Sequence, residues 1–561
     1  MRVDETRLVR LQWSQSRIGL RKVVRMTQEM FALACAQINS KVGDFAGNRR
    51  LIVNAARHAK ELGASCVVTP QCVLTGYPTL DLFKRDGVGE KALQELKALA
   101  AELQAQDLPP VLVGTILSDE GRCVNALCLV RDGKITVAST KRHLTRAGFF
   151  DETRVITPQG LAPIVQLGER RALCLIGQDA MSVTRQQAQN VDVVIVSDAH
   201  PYWEGMPTRR EVQYAAMAKR LGKPLLFVNA VGGNDAVLFD GSSCGFNAEG
   251  ETVTRLPSFQ EQVALFIAET QGALTPKETD ATGELYAALT MATQDYVVKN
   301  GFSSVLLGLS GGVDSALVAT IARDAIGARN VHCLMMPTRF TADESLTDAK
   351  ALAERQQLHY AVKPIEGIFK TLMSELEDDF NGRPWDATEE NLQARIRGML
   401  LMAHSNKFGH LVLTTGNKSE AAVGYSTLYG DSVGAYAPIC DVLKTKVWEL
   451  CRWRNAQEDG DVIPTNIIER APSAELREGQ TDQQSLPDYA ILDDIVHRYV
   501  HQGQSVETLT AESTDPAVVR RIVTLIHRNE YKRRQSPLGP KVTPVSFCVD
   551  WKNPMTAGYS L

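Results

Sequence analysis

Short runs of apolar residues alternate along the chain with longer stretches in which apolar residues recur every three or four positions. The first pattern is that of buried strands and the second that of amphipathic helices, so their alternation predicts an α/β protein. In the first half the runs predict strands at 31–35, 66–68, 110–114, 124–130, 172–176, 191–196 and 225–228, with helices at 48–62 and 90–103. The pattern breaks at Leu274-Thr275-Pro276-Lys277 and a helix is predicted to open near Thr282. This places a boundary between a domain at 26–275 and one at 276–561. The second half starts with a strand at 304–309, a glycine-rich loop and a helix at 317–323, and it closes in a Pro/Gly-containing tail at 536–561.

Length agrees with two domains, because single cores stop growing well short of 561 residues. A net charge of -4 gives no reason to expect nucleic acid as partner. No apolar run approaches the ~18 residues that span a bilayer. Eleven cysteines without a CxxC pair argue against a disulfide framework and a zinc site, and predict reduced thiols and a cytoplasmic location. Residues 1–25 carry Arg2, Arg7, Arg10, Arg17, Arg21, Lys22 and Arg25 without the apolar core of a secretory signal. They read as a disordered basic extension, a transit peptide being the alternative, with Met26 or Met30 starting the folded part.

The strand at 304–309 runs into Ser310-Gly311-Gly312-Val313-Asp314-Ser315 and then a helix. Glycines let backbone N–H groups approach a phosphate closely at a helix N-terminus. Ser310 and Ser315 add hydroxyl donors, and the Asp314 carboxylate suits Mg²⁺ better than bare phosphate. The Gly-Lys-Ser/Thr of the classical P-loop is absent. The loop resembles that of the adenine nucleotide α-hydrolase superfamily, whose members cleave ATP between its α- and β-phosphates. Met336-Pro337-Thr338-Arg339-Phe340, Thr388 to Arg395, Thr414 to Glu420, Tyr429-Gly430-Asp431 and Tyr531 to Gln535 narrow the resemblance to NAD⁺ synthetases.

That resemblance implies a Rossmann-type parallel sheet and a set of roles. Gly308, Leu309, Ser310, Gly311, Gly312 and Val313 would bind ATP, with Asp314, Ser315, Arg339 and Thr415. Asn391, Arg395 and Asp431 would bind nicotinic acid adenine dinucleotide, with Glu420, Lys444 and Lys532. Asp314 and Glu420 would be catalytic and share Mg²⁺. Lys444 and Lys541 are each read either as phosphate donors or as solvated surface lysines. The implied reaction is amidation of the nicotinate carboxylate through an acyl-adenylate, with ATP consumed and AMP and pyrophosphate released.

The first half resembles the glutaminase domain of the two-domain members, a nitrilase-like α-β-β-α sandwich. The resemblance rests on Ala36-Gln37-Ile38-Asn39, Val42-Gly43-Asp44, Leu74 to Pro78, Phe149-Phe150-Asp151-Glu152, Asn229 to Gly233 and Phe239-Asp240-Gly241. That family works with a glutamate base, a lysine and a cysteine nucleophile. Here Lys141 matches the lysine, but Gln71 stands for the base and Gly177 for the nucleophile. An amide accepts no proton at neutral pH, and glycine has no thiol. Gln178, Ala147, His200 and Met206 likewise replace a family glutamate, tyrosine, serine and basic residue. Cys174, three residues upstream, should point away from the site, and Cys72 sits beside the base position, so both read as packed core cysteines.

The expectation is therefore a homo-oligomeric synthetase that takes ammonia from solvent or a separate donor and keeps its first domain as a scaffold or regulatory platform. Three alternatives stay open: an active glutamine-dependent enzyme, a non-catalytic assembly subunit, and amidation of a different carboxylate.

Overall fold

The computed structural model describes residues 31–558, apart from 120–121, 149, 276–279 and 459. The basic extension, Met26, Met30, Phe149 and the Pro276-Lys277 break lie outside the described residues.

Residues up to 267 form two six-stranded sheets. One runs in the order Gln262–Ile267, Ala32–Gln37, Cys66–Val68, Val111–Asp119, Arg122–Arg131, Lys134–Thr140. The other runs Thr252–Arg255, Cys244–Phe246, Leu225–Asn229, Val193–Asp198, Arg170–Ile176, Ile164–Leu167. Side chains alternate between the faces of a strand, and this builds the layers. Leu33, Cys35, Leu127 and Leu129 point inward and meet Cys174, Ile176, Ile195 and Val228 of the facing sheet. Ala34 and Ala36 point outward and pack beneath helices Phe45–Glu61 and Val88–Ala105. The outer face of the second sheet, with Leu173, Val194 and Phe227, is covered by helix Met206–Leu221. The result is the α-β-β-α sandwich.

The second half is built on a parallel sheet in the order His359–Val362, Val331–Met335, Val305–Gly308, Leu411–Val412. Helices cover both faces. Val305 and Leu307 pack with Leu289 of helix Ala281–Lys299 and Leu317 of helix Val313–Ile326, while Leu306 and Leu334 pack with Phe369 and Ile396 on the other side. A cluster of helices from 486 to 526 forms a separate core with Leu492, Ile522 and Val523. The helix expected at 317–323 starts four residues earlier, so Asp314 and Ser315 belong to its first turn.

The two halves share a core. Tyr202, Leu238 and Phe259 of the first pack with Leu285, Tyr286 and Ala288 of the second. Lys299 donates to Asn39 Oδ1 (2.7 Å), Gly233 O (2.7 Å) and Asn234 Oδ1 (3.2 Å). Asp295 accepts from Gly233 N at 2.6 Å. Among the described residues, no helix is long and apolar enough to cross a membrane.

Candidate active site

In the parallel sheet, the strand at Val305–Gly308 has Val331–Met335 on one side and Leu411–Val412 on the other. The loops leaving the carboxyl ends of Val305–Gly308 and Leu411–Val412 therefore diverge, and the crevice between them is where open α/β sheets bind ligands. The first loop is Ser310 to Ser315. Ser310 and Ser315 Oγ lie 3.1 Å apart, Ser310 Oγ accepts from Gly312 N (3.2 Å), and Ser315 Oγ donates to Gly312 O (3.0 Å). Gly311 is in the left-handed region (φ +81°), and a Cβ there would lie 2.4 Å from Ser345 O. Only glycine lets the loop pack this closely.

The second loop carries Thr415 and ends in the short helix Lys418–Val423. Asn417 caps that helix through a capping box with Glu420 and donates from Nδ2 to Asp314 Oδ1 at 2.8 Å. Lys444 closes the arrangement, with its Nζ bonded to Asp314 Oδ2 and 3.5 Å from Glu420 Oε1. Burial and the neighbouring Asp314 push the Glu420 carboxyl up to about 8. Burial works against the Lys444 ammonium, but Asp314 and Glu420 outweigh it and hold its pKa above the ordinary lysine value.

The sequence-predicted dinucleotide residues gather nearby. Asn391 accepts from Thr427 Oγ1 (2.7 Å), Asp431 accepts from Thr427 N (2.6 Å), and Arg395 donates to Leu428 O (3.2 Å). Lys532 donates to Gly424 O and Ser426 O, both at 2.7 Å, so it holds the 424–431 loop in shape. Arg339 is exposed at the rim, 3.8 Å from Glu366 and over the Phe340 ring. The surface reading of Lys444 and Lys541 is corrected. Both are buried, the first by the two carboxylates and the second by Asp550 and two backbone carbonyls. A lysine ammonium goes inside only when its charge is answered there.

The supports of this site were not read from sequence. Lys418 bonds Asp441 (2.6 Å) and Thr543 (2.6 Å) with no solvent access. Asp493 accepts from Ser419 Oγ, Thr445 N and Thr445 Oγ1, and so clamps the neighbours of Glu420 and Lys444 to one another. Asn417 lies in the Thr414 to Glu420 segment and could have been found as a helix cap; Asp441 and Asp493 carry no local signal.

In the sandwich, positions 71, 141 and 177 converge. Lys141 Nζ lies 3.3 Å from Gln71 Oε1 and 2.9 Å from Glu152 Oε2, and Lys141 and Glu152 are both buried. Asn125 donates to Gln71 (3.3 Å) and Glu152 (3.4 Å). Gly177 turns the strand Arg170–Ile176 into the following 3₁₀ turn with φ +52°; a Cβ there would stand 3.5 Å from Lys141 Nζ and 3.1 Å from Asp198 Oδ1. Any side chain at 177 would thus point at the lysine.

Beside it lies a cavity of about 460 Å³ lined by Gln178, Asp198, His200 and Arg210, among others. Burial keeps the His200 imidazole below the ordinary histidine value, Asp198 opposing the effect. Met206 is not part of this wall; Arg210, one turn further along the same helix, is, with its guanidinium bound to Asp240. Ala147 is likewise outside the wall and lies in the turn that bonds Phe150 O. Cys174 is buried between the sheets, and burial lifts its thiol pKa. Cys72 is buried beside Gln71 and its thiol is pushed up to about 12 by burial and Glu152.

Residues 32–275 match the carbon-nitrogen hydrolase family and residues 285–536 the NAD synthase family. The glutamine-dependent NAD(+) synthetase of Rhodobacter capsulatus is 41% identical over 94% of this chain and 98% of its own length. That of Acinetobacter baylyi is 39% identical over 94% and 99%. The chain belongs to the two-domain NAD synthetase family. Among solved structures, the glutamine-dependent NAD⁺ synthetase from Acinetobacter baumannii in complex with ADP covers 95% of this chain and 99% of its own, at 36% identity and a TM-score of 0.74. Within this family, then, the sequence keeps both domains while a glutamine and a glycine face the buried Lys141.

Proposed function

We propose that the chain amidates nicotinic acid adenine dinucleotide to NAD⁺ at the expense of ATP, with free ammonia as the nitrogen donor. The observation that carries the synthetase reading is the convergence of Asp314, Glu420 and Lys444 at the sheet crevice. The nicotinate carboxylate attacks the α-phosphorus of ATP and pyrophosphate leaves. Ammonia then adds to the activated carbonyl and AMP leaves. The Ser310–Ser315 loop offers backbone and hydroxyl donors to the phosphates, and Asn391, Arg395 and the 424–431 loop orient the dinucleotide. Positioning and electrostatics of this kind are what such chemistry asks of a protein. The ADP bound in the Acinetobacter baumannii relative supports ATP as the nucleotide.

Two carboxylates with a single ammonium leave the crevice short of positive charge, and their hard oxygens fit Mg²⁺. Among the described residues no three metal-binding side chains converge, so Asp314 and Glu420 would hold the ion together with phosphate oxygens. Bound there, it would neutralise the departing pyrophosphate.

The nitrogen source is where the observations divide. Gly177 offers no nucleophile and Gln71 no base, and Cys72 and Cys174 are un-ionised near neutral pH. This supports ammonia, with the sandwich kept as a platform. The names of the relatives favour the second reading, glutamine dependence, and on comparison alone it is the better supported of the two. NAD⁺ formation with ammonium and with glutamine at equal concentration separates them. A rate with ammonium only is expected; equal support by glutamine would overturn the ammonia reading. Absence of pyrophosphate release with ATP and the dinucleotide would instead favour the non-catalytic assembly subunit.

A further inference from the structure

The eleven cysteines read as reduced, separate thiols in the sequence, yet two of them meet. Cys440 Sγ and Cys548 Sγ lie 3.1 Å apart across 108 residues of chain. Carbon atoms in good contact stand about 3.5–4.0 Å apart, and sulfur is larger. At 3.1 Å the thiols share a hydrogen bond and need approach by only about 1 Å more to reach disulfide length. Cys440 is buried, whereas Cys548 is partly exposed, so an oxidant meets Cys548 first.

The surroundings give the contact a purpose. Cys440 precedes Asp441, whose carboxylate receives Lys418 Nζ, Val542 N and Thr543 N. Lys418 opens the helix that carries Glu420. Cys548 sits in the segment that returns from Thr543 to Lys552, and Lys552 donates to Gly148 O of the sandwich at 2.6 Å. The two sulfurs thus lie where the C-terminal segment crosses from the base of the synthetase crevice to the first domain.

We propose that Cys440 and Cys548 form a redox-active pair that closes to a disulfide under peroxide and fastens the C-terminal segment to the loop carrying Asp441. The steps balance. The Cys548 thiol gives two electrons to hydrogen peroxide and becomes a sulfenic acid with release of water. The Cys440 sulfur then attacks the Cys548 sulfur, hydroxide leaves and takes the thiol proton as a second water, and the S–S bond forms. A dithiol reductant reverses the change.

The test uses the full chain, treated with stoichiometric hydrogen peroxide and then alkylated in denaturant. Expected are a mass lower by about 2 Da before alkylation, nine rather than eleven alkylated thiols, and one linked peptide joining 440 to 548. The midpoint of thermal unfolding should rise on oxidation and return with reductant, because a long unfolded loop is closed. Cys548→Ser, at the more exposed position, should remove both the link and the shift, and Cys440→Ala should give the sulfenic acid at Cys548 without the link. Eleven alkylated thiols, a link between another pair, or a shift that persists in Cys548→Ser would overturn the proposal.

Discussion

Replacing Asp441 by asparagine keeps the size of a side chain that has no solvent access and removes its charge. In the native chain one carboxylate accepts from Lys418 Nζ at 2.6 Å, from Val542 N and Thr543 N at 2.8 Å each, and from Thr543 Oγ1 at 2.9 Å. An amide offers a single acceptor atom, so either orientation sets its NH₂ against a donor. Burial already lowers the Lys418 pKa against the pull of Asp441, so the variant leaves that ammonium without a counter-ion, Thr543 Oγ1 and Val545 O being its remaining uncharged acceptors. Breaking a buried pair by removing one partner costs about 3–5 kcal/mol. At roughly 2–4 °C per kcal/mol for a unit of this size, the synthetase transition should fall by about 10 °C. Calorimetry checks this, with the synthetase rate followed alongside because Lys418 heads the helix of Glu420. Replacing both partners, as in Asp441→Asn with Lys418→Met, should recover most of the loss, since the uncompensated ammonium is gone. A single variant within about 1 kcal/mol of the parent, or a double variant no better than the single, would refute the reasoning.

Four further outcomes follow from the geometry. Gly177→Ala should lower the sandwich's unfolding midpoint by a few degrees, since a left-handed non-glycine residue costs about 1–2 kcal/mol, while ammonium-supported synthesis is unchanged. Gln71→Glu with Gly177→Cys should add glutamine-supported synthesis beside the retained Lys141 and Glu152, and no gain over the parent would count against that expectation. Asp493→Ala should lower kcat more than it raises KM for ATP, because it unpins Ser419 and Thr445 rather than a substrate contact, and Asp493→Asn should lie between; equal effects on both constants would point to general unfolding instead. Burial, with the stacked rings of His410 and His359, lowers the His332 pKa from 6.5 to about 4. The unfolded chain therefore binds the extra proton first, and stability is lost as pH falls from 6.5 towards 4; His332→Gln should flatten that limb of a denaturation-midpoint profile.

The sequence announced what is local. The run at 305–308 followed by glycines and an apolar-periodic helix is a self-contained signal, and most of the strands read from apolar runs lie within a residue or two of the structure's. The strand Lys134–Thr140 was missed because polar residues alternate with apolar ones and leave no continuous run, and the hairpin Val231–Asn234 with Val237–Asp240 because each of its strands is only four residues long. Helix Met206–Leu221 was not singled out because its buried positions include Pro207 and Arg210, which break the apolar periodicity. In the sites, positions 71, 141 and 177 were legible through resemblance and do converge. Glu152, the charge partner of Lys141, was seen only as part of a framework motif. Asp198, Asp441 and Asp493 act across 23 to 127 residues of intervening chain, and no periodicity records such a pairing.

Lys299 stands on the helix that opens the second half, yet its ammonium is received by Asn39, Gly233 and Asn234 of the first. A chain cut between the halves would leave that charge, and the apolar side of Leu285, Tyr286 and Ala288, facing water. The sandwich thus serves as part of the second half's own interior, so neither nitrogen source would free the chain to discard Tyr202, Leu238 and Phe259. The first domain is a structural tenant whose departure would bring down a shared wall, whatever chemistry it carries.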